Sequence, residues 1–385
     1  MPKKIEALVT PEVMKWARVK RARISLDQAS EAIGRPKDEI EAWESGHSRP
    51  TIPQARKAEK AYQVPLATFY LSEPPKGWDI QNLRDFRTLP SVRKGEFSFE
   101  LTLMLEEAQY HQEWMRDYIQ NEGDKALDFV GSADLDSSPR AVAQSILDTL
   151  DISPQEQMEC PNRYEALKLW IINAESAGIH VFRRTDIPFE EARGFVLSDD
   201  YAPFIFVNSD DSDSGQLFTL VHELAHLWIN ISEVTNLENY RQLDSDSQRI
   251  EIFCNKVASL ALMNPATFNQ LWSQQSDSAS LEKRISNISG KLKVSHEAVT
   301  RRLLDKGIID NRKYNELRRL FISRWLEAKE KQKARFKKSK KGPHPNRMTV
   351  IRNGVEFTKT VLAAYYKDKI SGIEASALLG NKKID

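Results

Sequence analysis

The stretch FTLVHELAHLW, residues 218–228, constrains this chain more than any other, because it is apolar enough to demand burial yet carries two histidines and a glutamate. Read as a helix, it places positions i and i+4 on one face. His222 and His226 then present two ring nitrogens in one direction, with Glu223 beside them. An unpaired carboxylate inside a core is costly. A pair of purely structural core histidines is therefore the weaker reading, and a metal centre the stronger.

Catalytic zinc takes three protein ligands and keeps a fourth position open, so a third ligand is expected downstream. Glu233, Glu238, Asp244, Asp246 and Glu251 all qualify by type. The helix SQRIEIFCNKVASLALM separates them: Glu251, Cys254, Asn255 and Ala258 fall at i, i+3, i+4 and i+7, a face of small residues with one carboxylate. Small side chains let two helices approach closely, which makes Glu251 the expected ligand. Asn255 is a candidate hydrogen-bond support for a ligand, Cys254 reads as a small buried residue, and the loop carboxylates remain in reserve. Zinc held there would make water a nucleophile near neutral pH, with Glu223 as proton acceptor and donor. No residue identifies itself as an oxyanion stabiliser.

The runs IHVFRR and GFVLSDDYAPFIFVN predict a small sheet immediately before the histidine pair. Upstream, residues 96–121, SSPRAVAQSILDTL and NRYEALKLWIINAESAG have helical spacing, and the domain reads as α+β. Residues 11–72 form a string of short helices broken by turn signals. Pro74, Pro75, Gly77 and an aperiodic stretch then place a linker near 73–95. Beyond Glu327, AKEKQKARFKKSKK is densely basic, a solvated helix extension or a flexible arm. FTKTVLAAYYKDKISGIEASALLG predicts one more helix and a short helical turn, with no chemistry to interpret.

At 385 residues the chain has room for two or three domains, and its net charge of +1 leaves partner preference to local charge. The only cysteines, Cys160 and Cys254, lie far apart, which suits a reducing compartment. There is no apolar h-region near the start and no run approaching the ~18 apolar residues of a membrane span. A cytoplasmic protein with no membrane partner is expected.

PFIFVNSDDSDSGQLFTLVHELAHLW followed by EIFCNKVASLALMNP resembles the ImmA/IrrE family of zinc metallopeptidases, over about residues 160–310. The resemblance implies Zn2+ held by His222, His226 and Glu251, with Glu223 as catalytic base. This chain departs from the family pattern at Phe253, at Cys254 and in the MNP that stands for Met-Pro. ISNISGKLKVSHEAVTRRLLDKGIID resembles the segment that closes the family's domain, which reads as a structural subdomain with His296 at the surface.

ISLDQASEAIGRPKDEIEAWESGHSRPT resembles the helix-turn-helix of the Xre/Cro repressors through Ser25, Gly34, Ile40, Trp43, Glu44, Gly46 and Pro50. Ser25 would cap the second helix, Gly34 permit the turn, and Ile40 with Trp43 seat the following helix. Leu26 stands where the family often has a polar donor, and Asp38, Glu39 and Glu41 on the presumed recognition helix oppose phosphate. Arg35, Lys37 and Arg49 remain as candidate DNA contacts.

The expected fold is mainly α with a small β-sheet (α+β). It comprises a five-helix helix-turn-helix domain over 1–74, a linker and helical region over 75–159, a zincin-like HExxH peptidase over 160–310 and a basic helical extension over 311–385. The resemblances imply a zinc endopeptidase, latent until triggered, that cleaves a partner repressor or antitoxin in a stress, phage or toxin-antitoxin system. Expected partners are a protein substrate and DNA, with homodimerisation open. The alternative is a DNA-binding regulator or antitoxin that holds a toxin and keeps its zinc for stability or sensing.

Overall fold

The computed structural model describes residues 5–75, 98–188, 191–231, 233–235, 245–276, 278–338 and 345–380. The expected linker near 73–95 falls mostly outside them, as do Glu238 and Asp244. The chain divides into two compact units, Met1–Thr88 with Arg93–Leu103, and Leu89–Val92 with Met104–Asp385.

The first unit is helical: α1 (Pro11–Trp16) runs into a π-helical turn (Ala17–Arg21), followed by α2 (Leu26–Ile33), α3 (Lys37–Glu44), α4 (Ile52–Tyr62) and a 3-10 turn (Leu66–Tyr70). Ser25 begins α2 with a reciprocal cap, accepting the Gln28 N–H at 3.2 Å while the Gln28 side chain accepts the Ser25 N–H at 2.8 Å. Gly34 ends the helix at φ 69°, a left-handed conformation that costs glycine nothing. Ile33, Ile40, Trp43, Tyr62 and Phe69 are buried around this turn. Arg18 grips the buried Glu44 with two hydrogen bonds, at 2.7 and 2.8 Å, and donates a third to the Ile24 carbonyl at 3.0 Å. With its donors satisfied, the pair is tolerated in the core.

The second unit is mainly helical around a four-stranded sheet of order β1-β3-β2-β4, consistent with an α+β fold. β1 (His180–Arg184) pairs parallel with β3 (Phe204–Asn208), and β2 (Gly194–Leu197) runs antiparallel to β3 and to β4 (Glu233–Thr235). Three residues long, β4 is too short for alternation to reveal in the sequence. Strand alternation sorts the side chains: Val181, Val196, Ile205 and Val207 face one way, and His180, Phe182, Phe195, Phe204 and Phe206 the other.

Before the sheet come α5 (Phe99–Glu122), α6 (Pro139–Thr149), α7 (Pro154–Glu159) and α8 (Arg163–Ser176). After β3 follow α9 (Asp213–Trp228), α10 (Ser245–Leu262), α11 (Pro265–Ser273), α12 (Leu281–Leu292), α13 (His296–Asp305) and α14 (Asn311–Lys338). The chain closes with α15 (Pro345–Asn353), α16 (Val355–Tyr366) and α17 (Gly372–Leu379). The valine face of the sheet packs on α9, which α6, α8 and α10 enclose. The aromatic face is covered by His111 of α5 and Phe357 of α16. No described helix is long and apolar enough to cross a membrane.

Of the two expectations for the basic stretch, its described part takes the helix extension, and a second C-terminal expectation, a surface His296, is corrected. The basic stretch begins within helix α14, and Lys329 is anchored to the loop before α9, donating to the Asp210 carbonyl at 3.1 Å and its carboxylate at 2.8 Å. His296 is half-buried rather than superficial, because α14 folds back along α13 and stacks Phe321 on its ring at 4.9 Å. Residues 339–344 of the basic stretch lie outside the described residues.

Candidate metal centre

Helix α9 starts where Ser212 accepts the Gly215 N–H at 3.2 Å, and from Thr219 to Trp228 every residue is buried. The one-turn spacing of His222 and His226 brings their Nε2 atoms to 3.0 Å of each other. Glu251 of α10 completes the group, with one carboxylate oxygen 3.5 Å from His222 Nε2 and the other 3.5 Å from His226 Nε2. Close approach of the two helices makes this possible: Cys254, Val257, Ala258 and Ala261 on α10 are all buried in the shared core.

The donor set suits zinc. Two imidazoles and a carboxylate form a hydrolytic ligand set, and Zn–N or Zn–O bonds of about 2.0–2.2 Å at tetrahedral angles put neighbouring ligand atoms about 3.3–3.5 Å apart. The observed separations of 3.0, 3.5 and 3.5 Å lie close to that. Among the described residues this is the only group of three or more histidine, cysteine or acidic side chains arranged for a metal. Burial works to raise the Glu251 carboxyl, but the charge and hydrogen bonding of the two imidazoles outweigh it and hold the group well below the usual carboxylate range. The carboxylate therefore stays an anion, the form a cation needs.

Glu223 is fully buried next to His222, and its Oε1 lies against the backbone of β2 at Gly194. Asn255 is half-buried, and among the described residues its side chain makes no hydrogen bond to the three convergent groups. Cys254, the preceding residue, is fully buried, and burial pushes its thiol up. Cys254 stands outside the convergent set, so a fourth position is not filled by sulfur.

The candidate DNA contacts belong to the other unit. Arg35, in the turn between α2 and α3, is half-buried 3.7 Å from Glu39. Lys37 pairs with Asp27, and Arg49 is exposed in the loop before α4.

Residues 174–304 match the family model Peptidase_M78, described as the IrrE N-terminal-like domain. The match runs from the end of α8 through α13, so it contains the sheet, α9 and Glu251, and leaves α1–α7 and α14–α17 outside. It supports the ImmA/IrrE resemblance and a metallopeptidase type of activity, which carries a protein or peptide substrate class with it. No curated protein matches the chain.

Proposed function

We propose that this chain is a zinc-dependent endopeptidase joined to a helix-turn-helix domain, acting on a partner repressor or antitoxin. The observation that carries the reading is the convergence of His222, His226 and Glu251 beside a buried Glu223. The three ligand-type residues would hold the ion, and zinc, when bound, supplies Lewis-acid polarisation and a water acidic enough to react near neutral pH. Glu223 accepts the proton of the attacking water and returns it to the leaving amine. Enclosure of this carboxyl group by α9 and β2 limits its contact with bulk solvent, which strengthens electrostatic interactions at the site. Incubation with the co-encoded repressor or antitoxin, read by mass spectrometry, should give cleavage products with the wild type and none with Glu223→Gln. Equal cleavage by both would sink the reading.

A second reading rests on burial. His222, Glu223 and His226 are 0 % exposed and Glu251 3 %, which suits a metal that stabilises or senses as well as one in a latent enzyme. On that reading the first unit carries the function. α2, the Gly34 turn and α3 would form a helix-turn-helix with Arg35, Lys37 and Arg49 on phosphate, and two of those cations must first exchange Glu39 and Asp27 for DNA. That exchange reduces the electrostatic gain. Operator binding that falls with salt and with Arg49→Ala, unaltered by Glu223→Gln, in a protein that cleaves no partner would favour this alternative.

A further inference from the structure

On the valine face of the sheet, the described positions of β1, β2 and β3 carry side chains, Val181, Arg183, Val196, Ile205 and Val207, except at one point. That point is Gly194, paired with Val207 and turned toward α9. Opposite it stand Thr219 and Glu223, one helical turn apart and hence on the same side of α9. An added Cβ at 194 would lie 2.5 Å from Thr219 Cγ2, 2.9 Å from the Phe206 carbonyl oxygen and 3.1 Å from Glu223 Oε1. The glycine does not serve a left-handed turn here; it provides room for a close approach.

We infer that Gly194 is a positioning residue for Glu223: the bare backbone of β2 is the wall against which the carboxylate is set. The inference rests on the peptidase reading, in which Glu223 handles the proton. Thr219 holds α9 at its distance from the strand, and Glu223 lies in the gap left between them. A methyl group at 194 moves the carboxylate by a few tenths of an ångström or turns it. Catalytic groups tolerate such displacement poorly, since about 1 Å costs on the order of a hundredfold in rate. None of the three heavy atoms nearest an added Cβ at 194 belongs to His222, His226 or Glu251, so their hold on a metal should survive the change.

The contact with Thr219 would make Gly194→Ala costly to fold by itself, and this provides a control. In Gly194→Ala/Thr219→Ser the 2.5 Å contact is removed and only the crowding of Glu223 and the strand carbonyl remains. The probe is Co2+ alone, whose visible spectrum followed against pH reports the protonation of the site without a substrate. Glu223→Gln defines the response when the carboxylate is lost. The double variant should fold, hold one cobalt per chain as Thr219→Ser does, and shift the spectral midpoint from the wild-type value toward that of Glu223→Gln by about one pH unit, a tenfold change in acidity. A double variant that titrates like Thr219→Ser would overturn the assignment, leaving Gly194 a spacer for Thr219. A wild type that takes up no cobalt, or one that titrates like Glu223→Gln, would instead bring down the peptidase reading and this inference with it.

Discussion

The sheet of the second unit buries a pair of histidines on each side, and the two pairs have nothing else in common. Behind the valine face, His222 and His226 point their Nε2 atoms at each other and at Glu251. On the aromatic face, His111 and His180 are packed among Phe182, Phe204 and Phe357, with ring centroids 4.8 Å apart for His111–Phe357 and for His180–Phe204. Neither His180 nitrogen has a hydrogen-bond partner among the described residues, nor has Nδ1 of His111. Burial is common to both pairs, so burial does not make a site. What distinguishes the first is that a carboxylate and two ring nitrogens converge on one point; the second pair is held as apolar ring surface, at the cost of unmade hydrogen bonds.

The largest expected effect tests the convergent pair. Zinc at a thousand times its dissociation constant should stabilise the second unit by about 4 kcal/mol, read as a rise in the thermal midpoint that a chelator reverses. Glu251→Ala should remove that response entirely, while His180→Phe should leave it in place. On the other side of the sheet, Phe357→Ala opens a cavity lined by the rings of His111, Trp114, His180, Phe182 and Phe204 and should cost about 3–5 kcal/mol in denaturant unfolding, without altering zinc binding. Loss of zinc in that variant would mean that the two faces are coupled.

Acid should also separate the pairs. Burial pushes both His111 and His180 down to about 4 from the ordinary 6.5. The unfolded chain therefore takes up protons before the folded one does. The stability contributed by keeping these rings neutral is complete above pH 6.5 and is lost as pH falls toward 4. For a fully buried ring that is on the order of 3 kcal/mol. Glu107 and Arg184 flank His111 with opposite effects, the carboxylate raising it and the guanidinium lowering it. His180→Phe should flatten the acid limb of stability against pH; an unaltered limb would place the acid sensitivity elsewhere. The smallest effect is expected at Cys254. Cys254→Ser keeps the volume and a donor beside His226, and should weaken zinc affinity by no more than about tenfold.

The convergent pair was legible in the sequence because its information is local. Two histidines four apart need only the helical period, and Glu251 needed one more helix with a face of small residues. On that face Asn255, at i+4, is half-buried, while Cys254, at i+3, is fully buried in the shared core. The aromatic pair was illegible because its members come from α5, β1 and α16, and Phe357 lies in a stretch whose composition carries no chemical signature. Gly194 is of the same kind, since a glycine in a strand does not announce which side chain lies opposite. The mainly helical α+β fold followed from periodicity, but β4 did not, being set by pairing with β2 rather than by its own three residues.

The central claim is that His222, His226 and Glu251 form a metal centre, and bound zinc per chain measures it most directly. Purified wild type and His180→Phe should each carry one zinc, and His226→Ala and Glu251→Ala none. Wild type without zinc after metal is supplied, or zinc retained in both ligand variants, would contradict the account.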